Sequence, residues 1–152
     1  MTRSPRTTLS DEDRALLSAC RVGRLATATR AGRPHVVPLC YAVLDARTLV
    51  FAIDDKPKAA GRRLRRLANL MENDRYALLV DRWDEDWGRL AYVLVEGTGR
   101  LAAVGSGRER AIEALRARYP QYVEMGLGAE RHEVVELRVE RVHHWRATPG
   151  SA

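Results

Sequence analysis

Lysine occurs only twice in this 152-residue chain, at Lys56 and Lys58, inside the run Asp54-Asp55-Lys56-Pro57-Lys58. The other 24 of its 26 cations are arginine. An ammonium group is a compact point charge and a guanidinium is a planar fork, so the two are not interchangeable. Two lysines two positions apart suit a point-like anion such as a phosphate. The run stands where strand-like sequence gives way to helix-like sequence. A strand end feeding a helix start offers free backbone N–H groups and the positive end of a helix dipole. Behind it, Arg62, Arg63, Arg65 and Arg66 either extend that anion site or form an ordinary solvated helix face.

The net charge is +6, and positions 56–66 hold six cations and no acid. Without that stretch the chain has 20 basic and 20 acidic residues. The excess is therefore a patch, whereas a nucleic-acid coat spreads along a chain, and no nucleic-acid partner is expected. A second cluster is aromatic: Trp83 and Trp87 flank the turn Asp84-Glu85-Asp86, with Arg89 and Tyr92 beyond. Such a group fills a core or subunit interface, or stacks on a planar ligand.

Other motifs have simpler readings. Gly97-Thr98-Gly99-Arg100-Leu101-Ala102 fits a loose dinucleotide fingerprint but sits within a strand pattern, which predicts a bulge instead. His143 and His144 are adjacent on a strand and point to opposite faces, so no metal site is expected. There is no G-x-S-x-G elbow for a serine hydrolase. Cys20 and Cys40 lack C-x-x-C spacing and read as reduced thiols of a cytoplasmic protein. No apolar run reaches the roughly 18 residues of a membrane span, and the polar start does not read as a signal peptide.

The elements that must position these residues follow from periodicity. Ser10-Asp11-Glu12-Asp13 predicts a capped helix through Leu16, Leu17 and Cys20, ended by Gly23. Strands are expected at 25–29, 34–43 and 49–53, joined by turns at 30–33 and 45–47. Pro38 cannot donate a ladder hydrogen bond and marks an edge or a bulge. Leu64, Leu67, Ala68 and Met71 form one helical stripe, with the arginines opposite. Strands at 76–83 and 90–101 follow. A capping box of Ser106 and Glu109 opens a helix that Pro120 stops. A strand at 133–145 closes the chain, with Val135, Leu137, Val139 and Trp145 on one face. The composition, 45% hydrophobic and 30% charged, is that of a globular domain. The expected architecture is α+β, mainly β: about six antiparallel strands in a small barrel with flanking helices, spanning 10–146 between tails at 1–9 and 147–152.

Taken together, several stretches resemble the pyridoxamine-phosphate-oxidase-like superfamily of flavin and deazaflavin reductases. They are Gly23-Arg24-Leu25-Ala26-Thr27, Gly32-Arg33-Pro34-His35-Val36-Val37-Pro38, and Leu49-Val50-Phe51-Ala52-Ile53-Asp54-Asp55-Lys56-Pro57-Lys58. Asn69, the strand ending at Asp81, and Asp86-Trp87 with Arg89 continue the match. The paired lysines and acidic tryptophan turn look most like actinobacterial members that use coenzyme F-420. The resemblance implies an FMN-binding-like split β-barrel homodimer with two cofactor sites at its interface. It implies that Val36, Val37 and Pro38 run along the ring system, and that Ala52, Ile53 and Asp54 end a strand beside the ribityl chain. Lys56 and Lys58 would hold the phosphate with Arg62 near it, and Asn69 would belong to the same site. Trp87 and Arg89 would come from the partner subunit. The implied reaction is hydride transfer from reduced F-420 to an unsaturated small-molecule acceptor. FMN on the same barrel, or a non-catalytic flavin or haem carrier, are the alternatives. The substrate-phosphate residues of the oxidases proper are missing near the C-terminus, so pyridoxamine phosphate is a poor substrate guess.

Overall fold

In the computed structural model, residues 5–53 and 64–148 are described. Asp54, Lys56, Lys58 and Arg62 lie outside them. Seven strands form one sheet: β1 (Gly23–Ala28), β2 (Pro34–Leu39), β3 (Ala42–Asp45), β4 (Thr48–Ala52), β5 (Arg75–Arg82), β6 (Ala91–Leu101) and β7 (Val134–Arg146). Their order is β2-β1-β5-β6-β7-β4-β3, and every pairing is antiparallel. Among the described residues four helices flank them: α1 (Asp11–Ala19), α2 (Arg65–Glu72), α3 (Ser106–Arg118) and α4 (Pro120–Glu124).

The sheet order explains the shape. β2 and β3 are consecutive in sequence yet occupy opposite edges, with only Cys40 and Tyr41 between them. Three Cα steps reach at most about 11 Å, so the sheet must curl until its edges nearly meet. No ladder joins them, and the barrel stays split. The single strand expected at 34–43 is therefore two strands. The break falls at Tyr41, which is fully buried. Its N–H donates to the Tyr119 hydroxyl at 3.2 Å, and its carbonyl lies 3.1 Å from the same oxygen. A side chain thus serves the backbone groups that a ladder would otherwise use.

Helix α1 opens with the expected capping box. The Ser10 hydroxyl accepts from the Asp13 N–H, and the Asp13 carboxylate accepts from the Ser10 N–H. Its end differs from expectation: Cys20 is the C-cap, and Gly23 belongs to β1, where an added Cβ would meet Leu78 at 2.8 Å. Before α1, Arg6 is bridged to Val142 and Leu9 is buried. In α2 the buried apolar side chains are Leu67 and Leu70, while Met71 is 57% exposed. Helix α3 is entered from Gly105 with no side-chain cap, so the expected Ser106 capping box does not form. Pro120 both stops α3 and starts α4.

The longest ladder, β6 with β7, shifts register between Glu96 and Gly97, where Glu140 of β7 is the extra residue. A Cβ on Gly97 would stand 1.9 Å from the Arg138 carbonyl oxygen, so only glycine lets the strands approach here. The bulge the sequence predicted is real, and it has a consequence downstream. Val135, Leu137 and Val139 face inward, but past Glu140 the alternation flips. Val142 and His144 then point inward, and Trp145, expected on the inner face, is 42% exposed outside.

The core has two parts. One lies inside the curled sheet against α1 and α2, and the other lies between β3, β4 and helices α3 and α4. Strand β4 is buried on both sides, with Leu49 and Phe51 in the first cluster and Val50 and Ala52 in the second.

Candidate functional site

The outer face of β2-β1-β5-β6-β7 carries no helix in its middle and is built in cross-strand rows. One row is Val36, Ala26, Ala77, Glu96 and Arg141. The next is Pro38, Arg24, Leu79, Leu94 and His143, followed by Asp81, Tyr92 and Trp145. Small residues in the centre make a shallow floor. Large apolar groups surround it: Val36 is 64% exposed and Leu79 37%. Tyr92 stacks on Trp145 with ring centroids 5.8 Å apart. The charged members pair on the surface, Arg24 with Asp81 at 2.5 Å and Arg141 with Glu96 at 3.8 Å.

All three tryptophans lie at one end of this face and all are exposed: Trp83 65%, Trp87 69% and Trp145 42%. Burying such rings is strongly favourable, and the three exposed together make an apolar patch at this end of the face. The turn holding Trp83 and Trp87 is organised by its acids. The Asp86 carboxylate accepts from the Gly88 N–H at 2.9 Å and caps a single 3-10 turn, Trp87–Arg89. Asp84 pairs with Arg89 at 3.3 Å, and Arg82 donates to the Arg89 carbonyl at 2.8 Å.

The residues expected at a cofactor take different positions. β2 is an edge strand, as Pro38 indicated. Val36 and Pro38 face outward, while Val37 turns inward opposite Leu25. Ala52 and Ile53 are buried, and the Ile53 N–H donates to the Glu133 carbonyl. Asn69 is also buried and donates to the Thr27 hydroxyl at 3.0 Å, tying α2 to β1. This engages its amide nitrogen in packing.

Trp87 and Arg89 stand beyond the Ala91 end of β6, whereas Ala52 pairs with Val134, beside the Leu101 end. Ten strand steps separate these ends, roughly 33 Å of extended chain. One chain does not bring both groups to one small ligand.

No trio of His, Cys, Asp or Glu suited to a metal occurs among the described residues. The two histidines separate as their strand positions require. His144 faces inward, 2.7 Å from the buried Asp13, and His143 lies outside near Tyr92. Burial pushes the Asp13 carboxyl upward, but hydrogen bonds from Arg6, Ser10 and His144 outweigh it and hold the group below its usual range. Burial, with the Asp81 carboxylate nearby, raises the Cys20 thiol, which is the wrong direction for a nucleophile. Sequence reading missed His143 and Trp145 as members of the outer face. Alternation along 133–145 was the available signal, and the bulge at Glu140 reverses it.

The family model described as pyridoxamine 5'-phosphate oxidase matches residues 9–146. This chain belongs to the pyridoxamine 5'-phosphate oxidase family. Solved structures share the family fold across nearly the full length. A conserved hypothetical protein from Mycobacterium tuberculosis is 20% identical, with a TM-score of 0.70 and 99% of each chain covered. A FAD-binding protein from Mesorhizobium loti is 26% identical, with a TM-score of 0.67, covering 92% of this chain and 94% of that one. A heme storage protein from Vibrio cholerae is 14% identical, with a TM-score of 0.68, covering 91% and 94%. No curated protein matches the sequence. No helix among the described residues is long and apolar enough to cross a membrane.

Proposed function

We propose that this protein is an F-420-dependent reductase working as a homodimer, with the deazaflavin held between the outer sheet face of one chain and the tryptophan turn of its partner. The observation that carries the reading is the open face itself. A flat floor of Ala26 and Ala77 beside exposed Val36 and Pro38 suits a planar ring system, and the three exposed tryptophans lie at its end. An isologous two-fold contact sets opposite ends of two such faces against each other, which resolves the separation of Trp87 and Arg89 from the β4 end. The FAD-binding relative supports a flavin-type cofactor. The paired lysines, with Arg62 near them, support a phosphate contact, and the surplus of arginine favours F-420, with its oligoglutamate tail, over FMN.

A bound deazaflavin supplies the hydride, so no acid or base side chain is required of the chain. What its residues do is hold and screen. Val36 and Pro38 present an edge strand and an apolar surface to the ring system, the lysines neutralise the phosphate, and the aromatic turn excludes water.

A second reading, haem holding without turnover, is favoured by one feature. His143 is the one histidine on the outer face among the described residues, and a haem storage protein shares the fold. Titration with F-420, FMN and haem, each followed by absorbance or calorimetric heat, separates these readings. Tight F-420 binding, weakened strongly by Lys56→Ala with Lys58→Ala, is the expected result. Haem binding lost in His143→Ala, with no affinity for F-420 or FMN, would overturn the reductase assignment.

A further inference from the structure

We propose that a cleft between α1 and α3 is a second ligand site, for a small organic anion with an apolar body. It is independent of the cofactor reading. The cleft encloses about 550 Å³, and its wall includes three arginines, Arg14, Arg21 and Arg118, and no carboxylate. The rest of the wall is small, with Ser18, Ala114 and Ala117 among it. Elsewhere, Arg6, Arg24, Arg75, Arg89, Arg100, Arg141 and Arg146 each lie within 4.0 Å of an acidic side chain.

Structural duties account for part of the charge. α1 ends here without a basic residue in its last turn, and Arg118 supplies the missing donors to the Leu17, Ser18 and Cys20 carbonyls. Arg21 does the same for the end of α3, donating to the Arg118 carbonyl at 2.7 Å while lying over the Tyr119 ring. These contacts offset the negative C-terminal ends of both helices. They engage one N–H of Arg21, and its others have no hydrogen bond among the described residues. Arg14, whose side chain has no hydrogen bond or ion pair among the described residues, is surplus to them. Arg14 and Arg21 are exposed forks with no carboxylate in the cleft wall, and such forks attract a carboxylate or phosphate.

Arg21 also borders a second, mostly apolar cavity of about 300 Å³, lined by Val22, Cys40, Tyr119, Gln121, Tyr122 and Met125. The cation between a charged cleft and an apolar one defines the ligand class. An anionic head sits on Arg14 and Arg21, and a hydrocarbon or aromatic body sits against Tyr122 and Met125.

Calorimetric titration of the full chain with phenyl phosphate, phenylacetate and inorganic phosphate tests this. Phenyl phosphate or phenylacetate should bind, and inorganic phosphate more weakly. Arg14→Ala should reduce that affinity about tenfold or more, as loss of a charge-assisted hydrogen bond predicts. Ala117→Glu, which sets a carboxylate in the cleft at an exposed helix position, should do the same, and both variants should keep the wild-type unfolding midpoint. The variant Lys56→Ala with Lys58→Ala should bind the probes normally. No binding of either organic probe at millimolar concentration overturns the proposal. So does equal binding by Arg14→Ala and Ala117→Glu, or a loss confined to the lysine variant.

Discussion

Two side chains from distant parts of the sequence finish the same helix, and their joint removal should cost more than the sum of the separate losses. The Tyr41 hydroxyl lies 2.6 Å from the Leu17 carbonyl and 2.8 Å from that of Cys20. Arg118 donates to both carbonyls as well, and to Ser18. In Tyr41→Phe the arginine still serves both oxygens, so the loss should be about 1 kcal/mol, the net value of one hydrogen bond. Arg118→Met keeps the apolar stem and removes charge-assisted contacts to a partly exposed site, costing about 2 kcal/mol. In the double variant neither carbonyl keeps a side-chain donor, and Leu17 is fully buried. Leaving such groups unmade should add about 1–3 kcal/mol beyond the sum of the singles. Urea unfolding of the four proteins measures this, with melting temperature as a second readout at about 2–4 °C per kcal/mol for this chain length. Additivity within about 0.5 kcal/mol would refute the shared-cap reasoning.

Gly97→Ala should destabilise by about 3 kcal/mol or more, because the new methyl meets backbone. Gly99→Ala meets only Leu70 and Leu137 side chains at 3.1–3.3 Å and should cost less, so equal urea midpoints would contradict the bulge geometry. Asp13 is held below its usual pKa of 3.8 when folded, so it stabilises the fold fully above that value and loses this as pH falls toward its folded pKa. Asp13→Asn should therefore flatten the acid limb of stability against pH, and an unchanged limb in urea titrations from neutral to acid pH would assign it elsewhere. Val36→Arg, at a position 64% exposed, should leave the unfolding midpoint within about 0.5 kcal/mol yet turn a dimer into a monomer in sedimentation. A monomeric wild-type chain would remove the two-fold arrangement from the proposed function.

Much of the local structure was legible in the residue pattern. Ser10 and Asp13 announced a helix start, Pro38 an edge strand, and the glycines near 97 a bulge, because each depends on contacts within a few residues. The antiparallel barrel followed from short turns between strands. Contacts between distant residues were not legible. The strand expected at 34–43 breaks at Tyr41 because Tyr119, 78 residues away, takes its backbone groups. Asn69 turns inward because Thr27 offers it a partner. Trp145 faces outward because one extra residue at Glu140 reverses a period-two pattern. The composition and spacing of this chain determined most of the elements that form and gathered its excess charge into positions 56–66. The tertiary structure alone decided which faces those elements show and which arginines meet at one cleft, because facing depends on register, and register is set by partners far away in the chain.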